Sequence, residues 1–154
     1  MENNGKNLKE FEDFHEYNSL SLDTIVEFCP NLKTIYAEIN KEHELETIFK
    51  CLQHLEKIKI LCNNRHLNKK KLLDIVAKHS PKHFYKLKLH YTLGMRSKLL
   101  PAEELESFFI SWKNRSPQRS LSLFIRNGNL DDENLKIIEK YKKLGIIKEF
   151  QVKG

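Results

Sequence analysis

Apolar side chains recur along this chain as pairs two residues apart, the period of a strand that buries one face. The pairs are Ile35/Ala37, Ile58/Ile60, Leu87/Leu89, Leu123/Ile125 and Phe150/Val152, whose first members follow one another at steps of 23, 29, 36 and 27 residues. In four of the five units a further apolar residue stands three positions earlier, at Leu32, Leu55, Phe84 and Ile147; the fourth unit has Ser120 there. The stretch LEKIKILCN, residues 55–63, shows the unit most fully and ends in Asn63. A pattern that returns at this interval predicts one strand repeated, rather than five unrelated strands.

The segments between the pairs carry apolar residues at three- and four-residue spacing and predict helices. They are TIVEFCPN, LETIFKCLQHL, KKLLDIVAKHSP, EELESFFISWKNRSP and ENLKIIEKYKKLG. Pro101 suits a first helical turn, with Glu103 and Glu104 beside the positive helix end. Asp131 or Asp132 suits a helix start and Gly145 a left-handed helix stop, while Pro30, Pro81 and Pro117 precede strands. A strand, a helix and a return to a parallel strand form a unit that cannot bury its apolar face alone, whereas stacked units can. The expected fold is therefore α/β: a leucine-rich-repeat solenoid of about five repeats, with parallel strands on the concave side and helices on the convex side. Residues 19–154 form the repeat domain. Residues 1–18 are a cap or partial repeat, either a rung at Leu8 and Phe11 or a capping helix.

Composition changes this picture little. At 154 residues the chain is one domain in size. It has no apolar run of the length that spans a bilayer and no secretory leader pattern. Three cysteines without framework spacing suit a reducing compartment, so a cytoplasmic or nuclear location is expected. Charge is more informative. Residues 1–54 hold 5 Lys/Arg against 11 Asp/Glu, residues 55–99 hold 12 against 2, and residues 100–154 hold 10 against 8. The middle third is a basic block, which implies an acidic protein or nucleic-acid partner, or lysines that only solvate a surface.

The succession SLSLDTIVEFCPNLKTI, LEKIKILCN, AKHSPKHFYKLKL, LESFFISWKNRSPQRSLSLFI and DDENLKIIEKYKKLGIIKEFQV resembles the leucine-rich-repeat region of F-box proteins, particularly a large expanded fungal set. It covers residues 19–153. The resemblance implies the substrate-receptor part of an Skp/cullin/F-box ubiquitin ligase, with cullin-ligase components as further partners where an F-box is present. The first fifty residues show no F-box. Residues 100–112, LPAEELESFFISW, imitate the start of one but occupy a helix slot between two strands.

Because side chains alternate across a strand, residues flanking each buried pair face outward on the concave surface. Four lysines on neighbouring strands, bordered by two aromatics, define the candidate binding residues: Tyr36, Lys57, Lys59, Lys86, Lys88, His90, Phe124 and Arg126. They suit an acidic protein target, with aromatic contacts as anchors and lysines steering approach. A basic nucleic-acid or phosphate-ligand module is the alternative, since lysines interleaved with aromatics also suit a single strand.

No catalytic residue, cofactor or metal is expected. Cys51, His54, Cys62 and His66 are ligand types that zinc accepts, but strand and helix positions account for both cysteines. Phosphate-binding glycine loops, G-x-S-x-G and H-E-x-x-H are absent from the sequence, which argues against an enzyme. His15, His43, His79, His83 and His90 show no paired spacing and read as surface residues.

Overall fold

The computed structural model describes residues 10–12, 22–63, 66–92, 97–98 and 100–153; Leu8, His15 and most of residues 1–18 lie outside them. In chain order the elements are β1 (Glu10–Glu12), α1 (Leu22–Phe28), β2 (Thr34–Glu38), α2 (Glu42–Cys51), β3 (Lys57–Cys62), α3 (Lys69–His79), β4 (Lys86–Tyr91), β5 (Ser97–Lys98), α4 (Ala102–Lys113), β6 (Leu121–Arg126), β7 (Gly128–Asn129), α5 (Asp132–Lys143) and β8 (Ile147–Lys153). One sheet runs β1-β2-β3-β4-β6-β8, every neighbour parallel, so the strands lie side by side in the order in which the chain makes them. Within that sheet a helix stands between each strand and the next from β2 onward, and successive helices from α1 to α5 pack on one another.

The apolar pairs set this arrangement. Ile35, Ile58, Leu87, Leu123 and Phe150 are register partners across five strands, and Ala37, Ile60, Leu89, Ile125 and Val152 form a second row beside them. Both rows point towards the helices, and they are buried except at β8, where Phe150 and Val152 are half-buried. Leu32, Leu55, Phe84 and Ile147, three residues before their pairs, are buried as well. Phe11 of β1 stands in register with Ile35.

The fourth unit departs from the pattern for a visible reason. Ser120, at the position other units fill with an apolar residue, is exposed and its Oγ donates to the Gly145 carbonyl at 2.6 Å. Leu121 takes over the buried place, and the β6–β8 register shifts between Leu121 and Ser122 to accommodate it. The long step of 36 residues into this unit holds β5, which pairs with β7 in a small second sheet that the apolar pattern does not predict. The asparagine that closes a strand on the buried side is Asn127 rather than Asn63. Asn127 has φ 61, is buried, and its Nδ2 donates to the Tyr91 carbonyl at 2.6 Å, whereas Asn63 is exposed and reaches Glu38.

Helix ends follow their sequence signals closely. Asn68 caps α3 by accepting from the Lys71 N–H, and Asp131 caps α5 by accepting from the Asn134 N–H. Pro101 stands one place before the first turn of α4, and its carbonyl accepts from the Glu104 and Leu105 N–H groups. Gly145, with φ 75, ends α5: its N–H donates to the Lys142 carbonyl while the Ile146 N–H donates to that of Tyr141, the two bonds of a Schellman stop.

A chain of aromatic side chains ties one unit to the next beneath the helices. Phe49 meets Phe84 at 5.3 Å between ring centroids, Phe84 meets Trp112 at 6.3 Å, and Phe109 meets Tyr141 at 5.3 Å. Trp112 Nε1 also donates to the Arg119 carbonyl at 2.7 Å. Arg115 lies over the Trp112 ring and donates to the carbonyls of Val76, Ser80 and Pro81 and to the Ser80 hydroxyl, so it satisfies the carbonyl end of α3 from the neighbouring unit.

Leu87, fully buried at the centre of the sheet, touches both neighbouring strands through its register partners. We predict that Leu87→Ala lowers unfolding stability by about 2–5 kcal/mol in urea titration. A loss below about 1 kcal/mol would contradict its place in the core.

A basic open sheet face as the candidate binding site

The side chains between the buried rows form three rows on the opposite face of the sheet. The first runs Thr34, Lys57, Lys86, Ser122, Glu149; the second Tyr36, Lys59, Lys88, Phe124, Gln151; the third Glu38, Leu61, His90, Arg126, Lys153. Parallel register alone makes these rows. Neighbours within a row are one strand spacing apart, about 4.8 Å. All eight candidate residues lie in them, and lysine faces lysine twice, at Lys57/Lys86 and Lys59/Lys88.

Two depressions in this face bring the candidates together. One, of about 330 Å³, is lined by Tyr36, Lys57, Lys59, Lys86 and Lys88 together with Thr34. The other, of about 490 Å³, is lined by Lys59, Lys88, His90, Phe124 and Arg126, joined by Gln151 and Lys153. Lys59 and Lys88 border both, so the depressions adjoin. No carboxylate lines either of them among the described residues, and none stands within ion-pair distance of Lys57, Lys59, Lys86 or Arg126.

The aromatics hold the lysines. Lys59 Nζ lies 4.3 Å from the centroid of the Tyr36 ring, Lys86 Nζ 4.8 Å from that of Phe124, and Lys88 Nζ 5.6 Å from the same ring. Tyr85, in the loop before β4, takes Lys57 at 5.9 Å and Arg119 at 5.1 Å, and Arg119 also donates to the His83 carbonyl at 2.8 Å. Like charges opposite one another across a strand repel. Each ring offers its ammonium a negatively polarised surface, worth about 0.5–1 kcal/mol at an exposed site. Tyr36 and Phe124 therefore border the lysines as expected, but as supports for them rather than as open contact surfaces. Tyr85 and Arg119 were not visible as site residues because they lie outside the strand alternation, and Gln151 and Lys153 join the site only through the β6–β8 register.

His90 is not an ordinary surface histidine. Its Nδ1 is buried without a hydrogen-bond partner, and its pKa is held below the usual histidine value by burial first, then by the charges of Arg126 and Lys59. Ser122, expected to face outward, is on the correct side of the sheet but buried, a short side chain between Lys86 and Glu149. The two cysteines weighed as metal ligands differ in setting: Cys51 is exposed at the end of α2, while Cys62 is buried in β3 with its thiol pushed up to about 12 by desolvation. No group of three His, Cys, Asp or Glu side chains converges among the described residues.

No helix among the described residues is long and apolar enough to cross a membrane. No family model matches the chain, and no curated protein matches it.

Two outcomes follow from this geometry. A double-mutant cycle of Tyr36→Leu and Lys59→Met, read by urea unfolding, is expected to show a coupling of about 0.5–1 kcal/mol; additive effects would mean that Lys59 does not rest on the ring. The lowered pKa of His90 means that the unfolded chain binds more protons as pH falls through about 6.5. Stability contributed by neutral His90 is thus present above that pH, is lost on acidification, and stops changing below the folded-state value. His90→Gln should flatten the stability profile between pH 7.5 and 5.5, and an unchanged slope would show that His90 is not responsible.

Proposed function

We propose that this chain is a protein–protein interaction module, built as a leucine-rich-repeat solenoid, whose open sheet face receives an acidic polypeptide. The observation that carries the reading is the pair of adjoining depressions lined by lysine and arginine with no carboxylate among their lining residues. Lys57, Lys59, Lys86 and Arg126 on this face have no carboxylate within ion-pair distance among the described residues, which favours fast, steered association with acidic surfaces. The in-order parallel strands with intervening helices and the recurrent buried pairs support the repeat assignment. Its resemblance to the repeat region of F-box proteins supports a more particular role, the substrate-recognition part of an F-box-type ubiquitin ligase receptor. Cullin-ligase components are then further partners wherever an F-box is joined to it.

Nucleic acid is the competing partner, and the aromatics weigh against it. Binding a single strand draws on free ring faces on which bases stack. Here the Tyr36 and Phe124 faces carry lysine ammonium groups.

The test is affinity capture from native lysate, with and without nuclease, comparing the wild type with the variant carrying Lys57→Glu, Lys59→Glu, Lys86→Glu and Lys88→Glu. Recovery of one protein that survives nuclease and falls about tenfold or more in the correctly folded variant is expected. Recovery that vanishes with nuclease would replace this reading with the nucleic-acid one, and equal recovery by the variant would remove the open face as the site.

A further inference from the structure

β8 pairs with β6 on one side and, among the described residues, has no strand on the other. The Lys153 carbonyl accepts from the Asn127 N–H on the inner side at 2.6 Å, so strand alternation turns the N–H and C=O groups of Phe150 and Val152 outward. A row of such groups is a template for another strand. The apolar rows are also least covered here. Phe150 and Val152 are half-buried, while their register partners Leu123 and Ile125 are buried. The neighbouring α5 carries Leu135 and Leu144, two of the three large apolar side chains left exposed among the described residues.

The sequence of β8, IKEFQVK, selects which strand fits this edge. Glu149 and Lys153 are both exposed on the open side of the sheet, but four residues along one strand separate them by about 13 Å, too far to pair with each other. A second β8 laid antiparallel along the edge brings them opposite only in one register. Centred on Lys148, Glu149 or Lys153, it sets a like charge against itself. Centred on Phe150, it sets Glu149 against Gln151 and Lys148 against Val152; centred on Val152, it sets Lys153 against Gln151. Centred on Gln151, it sets Glu149 of each copy against Lys153 of the other, and Phe150 of each against Val152 of the other. The backbone agrees with that register. Phe150 and Val152, whose polar groups face outward, become the hydrogen-bonded pairs, and Glu149 and Lys153 fall at the positions between them, where side chains approach most closely.

We infer that the outer edge of β8 is a self-association surface whose occupant is β8 of a second copy of this chain, antiparallel and centred on Gln151. The two-fold axis stands perpendicular to the sheet, so both helical layers lie on one side and both open faces on the other. Each copy then places a carboxylate, Glu149, beside the register pair Arg126/Lys153 of the other. The surface lies along the sheet edge and does not depend on what the open face receives.

The experiment is sedimentation equilibrium of the purified chain at low salt, from about 10 µM to 1 mM, with amide hydrogen exchange read at both ends of that range. The weight-average mass is expected to rise from the 18.3 kDa monomer towards twice that value, and exchange at the Phe150 and Val152 N–H groups to slow as it rises. Glu149→Lys and Lys153→Glu, each checked for native circular dichroism, should each weaken association about tenfold or more. Combining both changes in one chain should restore it, and an equimolar mixture of the two single variants should associate more tightly than either alone, since all facing charges are then opposite. A monomer mass at every concentration would overturn the inference. So would association that either single reversal changes by less than about twofold, or that neither the double variant nor the mixture restores.

Discussion

In-register parallel pairing is the constraint on which the rest of the molecule depends. A parallel strand repeats its side-chain alternation in step with its neighbour, so one apolar pair per unit stacks into two continuous apolar rows from β2 to β8, buried as far as β6. The same alternation forces whatever lies between those residues into rows on the other face. A one-residue slip at β3 would send Lys57 and Lys59 into the core and Ile58 and Ile60 onto the open face, a cost that fixes the register firmly. The open face is thus a by-product of the core: the sequence needs only to choose side chains at positions whose geometry is already settled.

That choice runs against local stability. Lys57 opposite Lys86 and Lys59 opposite Lys88 set lysines in register on strands about 4.8 Å apart. The rings of Tyr36, Phe124 and Tyr85 offset part of the repulsion by holding the ammonium groups over their faces. On the helical side, Glu106 accepts from Lys140 and Tyr141 across α4 and α5, and Arg115 closes the end of α3. Lys57, Lys59, Lys86 and Arg126 on the open face have no carboxylate within ion-pair distance among the described residues. Lysine facing lysine across neighbouring strands gives this side of the sheet a positive potential.

Much of this was legible in the residues because the period of the apolar pairs is a direct record of burial. Ile35, Ile58, Leu87 and Leu123 could be aligned with one another before their register was known, and the three-back residues Leu32, Leu55 and Phe84 fell into the core with them. Helix signals at Asp131 and Gly145 worked because caps and left-handed stops are local chemistry. What escaped was long-range. The exchange of Ser120 for Leu121 needs the β6–β8 register, and the β5–β7 pair joins residues about thirty apart with no apolar pattern of their own. Asn127 resembles any turn asparagine until Tyr91 is placed beside it. The residues of the open face could be placed by alternation, but the direction in which Lys59 and Lys86 fold over the Tyr36 and Phe124 rings could not. The same limit applied to His90, whose Nδ1 is buried without a hydrogen-bond partner.

The central claim is that the open face, and not the helical face, is where this protein binds. Residue-resolved amide shifts on adding an oligoglutamate peptide at low salt test it most directly. Saturable shifts confined to residues 34–38, 57–61, 86–90, 122–126 and 149–153, and fading as salt is raised, are the predicted result. Shifts concentrated on α2, α3, α4 or α5, or none at all at peptide concentrations well above that of the protein, would contradict it.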